Sequence, residues 1–259
     1  MEINIYQVDA FTSNAFSGNP AVVVPDAHVL SDEEMQKIAN ELNVSETAFV
    51  SFLDKDLYEV RYFTPKKEVE LCGHGTIATF YTLALKGYIE PIYNGKKTVY
   101  QVTKAGKLPV EIEFKDNEVK SIIMEVARPR KLKDIEDITL ILKAIGIDES
   151  KVGIGNRLVM PEIISTGLSD IILPIKDKET LDNLKVNYLD IIDITRDLDV
   201  VGIHAFYLPK KDSSKVYGRN FAPIVGINEE AATGTSNGSL IYFLKKNNLI
   251  SQNKITAIQ

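Results

Sequence analysis

The chain has 259 residues, 44% hydrophobic and 25% charged, an ordinary globular composition long enough for two domains and unlike a disordered or fibrous chain. Its 30 basic and 36 acidic residues leave a net charge of −6, which argues against a general nucleic-acid binder with its basic face. No uncharged apolar run approaches the ~20 residues of a membrane span, Met1-Glu2-Ile3-Asn4-Ile5 lacks a signal-peptide pattern, and the single cysteine, Cys72, rules out an internal disulfide and fits a reducing compartment. A cytoplasmic protein without nucleic-acid or membrane partners is expected.

Residues 3–9 alternate apolar and polar and read as a strand; 21–24, after Gly18-Asn19-Pro20, read as a buried one. Ser31-Asp32-Glu33-Glu34 has the form of a capping box, and Met35, Ile38, Ala39 and Leu42 follow at helical spacing, so 32–42 is an amphipathic helix. Strands are expected at 47–53 and 58–63. From His74 to Lys86 the apolar residues Ile77, Ala78, Phe80, Tyr81, Leu83, Ala84 and Leu85 cover most of a helix circumference, and such a helix is buried on nearly all sides. Wrapping by a curved sheet is the simplest way to bury it. Residues 98–103, 109–114 and 119–126 read as strands, and the charged stretch Arg128–Lys133 as a boundary. That gives an N-terminal lobe, 1–127, which 248–259 would complete if the chain returned to it, and a C-terminal lobe, 128–247. In the latter, 134–145 reads as helix, 170–175 and 200–208 as strands, 179–194 as mixed, and Leu240–Leu244 as the opening of another apolar helix.

Arg61-Tyr62-Phe63-Thr64-Pro65 recurs in form as Arg219-Asn220-Phe221-Ala222-Pro223, and each is followed by a glycine-led helix start, at Gly73 and at Gly234. Aligning these glycines also pairs Tyr81 with Tyr242, Leu83 with Leu244 and Ile89 with Ile250. A duplicated strand–loop–buried-helix unit is expected. The first turn of a helix carries backbone N–H groups without partners and the positive end of the macrodipole. Glycine lets a ligand approach that backbone closely. Two such ends facing one cleft would hold a small carboxylate.

Val8-Asp9-Ala10-Phe11, Phe16-Ser17-Gly18-Asn19-Pro20-Ala21, Ser45-Glu46-Thr47-Ala48-Phe49, Phe63-Thr64-Pro65 and Leu71-Cys72-Gly73-His74-Gly75-Thr76 resemble the phenazine-biosynthesis PhzF-like isomerases, and Ser165-Thr166-Gly167 and Phe221-Ala222-Pro223 add to the likeness. The resemblance implies an α+β, diaminopimelate-epimerase-like fold of two pseudo-symmetric lobes, each a strand barrel around a buried central helix, with the site between them. It implies a homodimer and proton-moving isomerisation with no cofactor and no metal. Residue by residue, Glu46 matches the family's proton-transferring glutamate and His74 its active-site histidine. Gly73 and Gly75 match the first helix end, and Asn19 the asparagine expected to face the substrate. Where the family usually has Glu-Asp-Pro-Ala-Thr-Gly-Ser, this chain has Glu229-Glu230-Ala231-Ala232-Thr233-Gly234-Thr235. Glu230 therefore stands for an aspartate and Thr235 for a serine. A glutamate is one methylene longer, and a 1 Å misplacement costs about 10²-fold in rate. Relatives also continue beyond the equivalent of Gln259, so the second lobe is expected to be smaller or its edge covered by a neighbouring chain.

The leading reading is a cofactor-independent isomerase of a small cyclic or unsaturated carboxylate, with Glu46 as general acid/base and His74 and Glu230 in support. Asn19, Gly73, Gly75, Gly234 and Thr235 would contact the substrate. A non-catalytic member of the same fold that binds a small anion or a protein partner is the alternative. Gly73-His74-Gly75-Thr76-Ile77-Ala78 also fits the G-x-G-x-x-A dinucleotide fingerprint, but without a clear β–α–β crossover, so a nicotinamide-dependent oxidoreductase ranks third. His74, beside the positive end of a helix, is expected to be a neutral imidazole. His28 and His204 lack metal-ligand spacing with it. Cys72 reads as a small buried hydrophobe, and because its counterpart in the repeat is Thr233, a two-thiol racemisation is not expected.

Overall fold

The computed structural model describes residues 2–14 and 16–259. The chain divides into two compact α+β units, Met1–Glu125 and Val126–Gln259.

The first unit contains β1 (Tyr6–Ala10), β2 (Asn19–Val24), α1 (Asp32–Leu42), β3 (Glu46–Asp54), β4 (Leu57–Phe63), β5 (Glu68–Val69), α2 (Gly73–Leu85), β6 (Asn94–Thr103), β7 (Gly106–Lys115) and β8 (Glu118–Met124). Its sheet runs β1-β2-β3-β4-β6-β7-β8, with β5 added to β4. The two-residue period of the strands divides their side chains between two cores. Ala21, Val23, Ala48, Val50, Val60 and Tyr62 pack on the α2 side, whereas Val22, Val24, Phe49 and Phe63 pack with Met35 and Ala39 of α1. The capping box is present: Glu34 N–H donates to Ser31 Oγ at 3.3 Å, and Ser31 N–H donates to Glu34 Oε2 at 2.8 Å.

Helix α2 packs against β1, β2 and β3 from one end of the sheet and β8 from the other, so the sheet curls around it. Among the described residues no ladder joins β1 to β8. The expected barrel is thus a half-barrel, with the helix filling its interior. Burying a Phe or Leu side chain is worth roughly 1.5–3 kcal/mol, and Phe80 and Leu83 are buried completely. Tyr81 and Leu85 remain exposed, a narrow strip on a helix otherwise enclosed. β4 and β6 are parallel and joined through α2, so a β–α–β crossover does exist there, contrary to the sequence reading.

The second unit contains β9 (Arg130–Asp134), α3 (Thr139–Ile145), β10 (Glu162–Ser165), β11 (Ser169–Pro174), α4 (Lys178–Asp182), α5 (Tyr188–Asp197), β12 (Gly202–Tyr207), β13 (Lys215–Ala222), β14 (Ile227–Glu230), α6 (Gly234–Lys246) and β15 (Thr256–Ile258). Its sheet runs β14-β13-β12-β11-β10-β9, with β15 paired to β13. Phe243 and Leu244 of α6 pack with Ile164, Ile172 and Phe206 on one face. Ile163, Ile171, Ile203 and Phe221 pack with Ile141, Leu181 and Ile191 of α3, α4 and α5 on the other.

The helix predicted over 134–145 begins only at Thr139, because Arg130–Asp134 pairs with β10 as a charged edge strand. Residues 248–259 do not complete the first lobe: Thr256–Ile258 lies parallel to Lys215–Tyr217 within the second unit. The duplication is physical as well as textual. Arg61 makes a two-pronged pair with Glu68 at 2.9 and 3.0 Å and lies 5.3 Å from the Phe63 ring centre. Arg219 does the same with Glu229 at 2.7 and 2.9 Å and with Phe221 at 5.0 Å.

Candidate active site

The first unit gathers Glu46, Cys72, Gly73, His74 and Gly75 at the N-terminal end of α2. Glu46 opens β3 in parallel register with Ala21 of β2, and Ala21 packs on the α2 side, which directs the Glu46 side chain toward the helix. Asn19, two residues earlier on β2, shares that face and is buried. It follows Gly18, whose φ of +78° and whose missing Cβ, which would lie 2.3 Å from the Ala10 carbonyl oxygen, make glycine the residue that this turn accepts.

Glu46 and His74 are 7% and 5% exposed. His74 Nε2 lies 3.1 Å from Glu46 Oε2, yet Oε2 has no aligned hydrogen-bond donor. The contact is therefore an ion pair that leaves a buried carboxylate oxygen short of a full hydrogen bond. Such under-satisfied groups are uncommon, and a catalytic role is one of the reasons a protein keeps them. Burial alone would favour a neutral imidazole, but Cys72 and Glu46 outweigh it and hold the His74 pKa well above the ordinary histidine value. This corrects the expectation of a neutral ring: a carboxylate in contact overrides the weaker field of the helix end.

Cys72 is the N-cap of α2, and the Gly75 N–H donates to its Sγ at 3.2 Å. Sγ lies 3.4 Å from His74 Nδ1 and 4.0 Å from Nε2. Burial pushes its thiol pKa up, and the Glu46 carboxylate adds to the shift. Cys72 is the small buried core residue that the sequence suggests, and it is also a cap, a role signalled by its position immediately before Gly-His-Gly, where a side-chain acceptor is favoured.

Gly73 and Gly234 share one property: a Cβ at either would meet no protein atom within 4 Å. Packing does not require glycine at either position, and both helix starts are open to a close approach. Gly75 is different, since a Cβ would sit 2.9 Å from Cys72 Sγ and 3.0 Å from Tyr62 Cε1. In a dinucleotide fingerprint the second glycine makes room for pyrophosphate. Here sulfur and an aromatic ring fill that room, so the residues present do not fit a dinucleotide despite the crossover. A metal fits no better. Glu46, Cys72 and His74 each place a donor atom within 4.8 Å of the others. However, a sulfur almost equidistant from the two ring nitrogens sits beside the ring, off both lone-pair axes.

The second unit gathers Glu230, Gly234 and Thr235. Glu230 ends β14 opposite Asn220 and is buried. Gly234 and Thr235 open α6, and Thr166 Oγ1 donates to the Thr235 carbonyl oxygen at 2.8 Å. The N-cap Thr233 makes no capping bond. Its hydroxyl accepts from Gln259 Nε2 at 3.0 Å, the same nitrogen donates to the Glu230 carbonyl oxygen at 2.6 Å, and Gln259 Oε1 accepts from the Thr233 N–H at 3.3 Å. Sequence gave no hint of this clamp, because it joins residues far apart in the chain.

Both helix starts are pinned to their sheets by buried polar groups. In α2, Thr76 Oγ1 and Tyr62 Oη are 2.8 Å apart, and Tyr62 donates to Gln101 at 2.9 Å. In α6, Ser236 donates to Asp170 Oδ2 at 2.6 Å and accepts from Asn220 Nδ2 at 3.1 Å. Asn220 also lies 3.4 Å from His204 Nδ1. Burial raises the Asp170 pKa to about 6 and lowers that of His204 to about 4.

The sequence pattern of the PhzC-PhzF family, described as phenazine biosynthesis-like protein, matches residues 8–259. The chain belongs to this family. An uncharacterised isomerase of Clostridium acetobutylicum is 39% identical over 246 residues, 93% of this chain and 78% of the relative. The uncharacterised isomerase YddE of Escherichia coli K12 is 34% identical over 252 residues, 96% of this chain and 82% of the relative. Among solved structures, a PhzF-family phenazine biosynthesis protein of Bacillus anthracis superposes with a TM-score of 0.81 at 31% identity, covering 94% of this chain and 81% of that one. The fold is that of the PhzF proteins, and the two curated relatives above are described as isomerases. No helix among the described residues is long and apolar enough to cross a membrane.

Proposed function

We propose that this PhzF-family chain is a cofactor-independent isomerase that moves a proton on a small cyclic or unsaturated carboxylate, with Glu46 as the group that takes and returns it. The observation that carries this reading is the Glu46 carboxylate, buried, in contact with a charged His74 and short of one hydrogen bond. A base in that state needs no desolvation before it acts. Glu46 removes a proton from carbon, and the electron pair passes into the conjugated carboxylate. The protonated Glu46 then delivers the proton to a different carbon, which restores the carboxylate. No oxidant or reductant is consumed. The charge on His74, 3.1 Å from Oε2, balances that of the carboxylate before the first transfer.

Each glycine start gives anions access to backbone N–H groups, which supports Asn19, Gly73 and Gly75 as binding residues of the first unit and Gly234 and Thr235 as those of the second. Of these, Gly75 acts through its packing, since its N–H already serves Cys72. Glu230, buried at the end of β14, is the candidate carboxylate of the second unit. The test is to incubate the protein in heavy water with a panel of cyclic and conjugated carboxylates. Deuterium entering substrate or product, and its loss in Glu46→Gln, is expected. Absence of exchange across the panel supports the anion-binding alternative, and exchange undiminished in Glu46→Gln contradicts the role of Glu46.

A further inference from the structure

The proton-transfer steps above make no use of Cys72, yet several features of the first unit converge on its sulfur. The Gly75 N–H donates to Sγ at 3.2 Å, so the sulfur turns an electron pair toward the helix and serves as its cap. The missing Cβ of Gly75 leaves the space that the sulfur occupies, with 2.9 Å between the two positions. Sγ also rests beside the His74 ring, 3.4 and 4.0 Å from its two nitrogens. Cap formation alone does not call for sulfur, since serine and threonine cap helices well. An oxygen on a shorter bond would not fill that space or reach the ring.

The groups facing His74 from the elements packed on α2 are few. β3 brings the Glu46 carboxylate. β4 brings Tyr62, whose hydroxyl is engaged by Thr76 and Gln101. β1, β2 and β8 present Val8, Ala21 and Ile122 to the same core, and β2 adds the buried, uncharged Asn19 on the face of Ala21. The positive end of α2 opposes a charged ring.

We propose that Cys72 is a positioning residue for His74, its sulfur bracing the imidazole so that Nε2 stays on Glu46. The proposal rests on the reading of Glu46 and His74 as the proton-transfer pair. A polarisable sulfur with an electron pair available attracts an imidazolium more than it attracts a neutral imidazole. Its bulk also removes the space into which the ring would otherwise swing.

The chain has three histidines, so His28, His74 and His204 are separable in an NMR titration that needs no substrate. The titration is run on the full chain and on Cys72→Ala and Cys72→Ser, with Glu46→Gln as reference. The His74 midpoint is expected to fall by about one pH unit in both cysteine variants, with those of His28 and His204 unmoved. Cys72→Ser retains a good helix cap, so it decides the matter if Cys72→Ala does not fold. A His74 midpoint in Cys72→Ser equal to that of the unmodified chain overturns the proposal and leaves the role of Glu46 intact. Undiminished deuterium exchange in Glu46→Gln overturns the proton-transfer reading, whatever the titration shows.

Discussion

The helix starts at Gly73 and Gly234 follow one plan and are completed differently. Both follow an Arg-x-Phe strand whose arginine pairs with a glutamate and stacks on the phenylalanine. Both are pinned by buried hydroxyls. At Gly73 the cap is a sulfur that also touches a charged imidazole, and that imidazole touches a carboxylate. At Gly234 the cap position is a threonine whose hydroxyl is held by Gln259. The two copies thus share a backbone plan, while among the described residues the first alone sets a cysteine, a histidine and a carboxylate side by side at the helix start. The lesson is that a shared backbone plan says little about which copy moves protons; the side chains within 4 Å of each start decide it.

The sharpest way to break this comparison is Glu46→Gln. General acid/base groups contribute about 10²–10⁴-fold, so deuterium exchange is expected to fall by about 10³-fold, measured against unaltered thermal stability. Next in size is Asp170→Asn, which separates scaffold from chemistry. Burial raises the Asp170 pKa from 3.8 to about 6. The folded state therefore gains from this group at low pH, and that contribution is lost as pH rises through about 6. At pH 8 the buried charge costs up to about 3 kcal/mol. Asp170→Asn is expected to recover a large part of that at pH 8 and little at pH 4, as read from denaturant unfolding at the two values. His204 acts in the other direction: its contribution is present above pH 6.5 and is lost as pH falls through about 4.

Glu230→Gln is expected to lower exchange by about 10-fold, roughly 1.4 kcal/mol in the barrier, a smaller loss than at Glu46. A loss at Glu230 equal to that at Glu46 would show the chemistry shared evenly between the copies. The smallest effect is expected from Gln259→Ala, which removes the clamp on Glu230 and Thr233. The change in stability should lie near 1 kcal/mol, with the exchange rate at saturating substrate nearly unchanged and half-saturation raised.

Much of this was legible in the sequence where local physics governs. The α1 helix announced itself through Ser31 and Glu34, and α2 through an apolar circumference that only enclosure explains. The repeat followed from motifs, and the family resemblance singled out Glu46, His74 and Asn19, all three buried in the first unit. Features set by distant pairing were not legible. β9 is a charged run, Arg130-Lys131-Leu132-Lys133-Asp134, without alternation, and it is a strand because β10 offers it a partner at the sheet edge. β15 depends on register with β13, and Gln259 on the loop that β15 brings it to. The charge on His74 was misread because the helix end is visible in sequence and the 3.1 Å contact with Glu46 is not.

The most direct test of the central claim, that proton transfer belongs to the Gly73 copy, is the rate of deuterium incorporation into a turned-over carboxylate by Glu46→Gln and Glu230→Gln side by side. Incorporation at least about 10-fold slower in Glu46→Gln than in Glu230→Gln is the expected result. Equal rates in the two variants, or faster incorporation in Glu46→Gln, would contradict it.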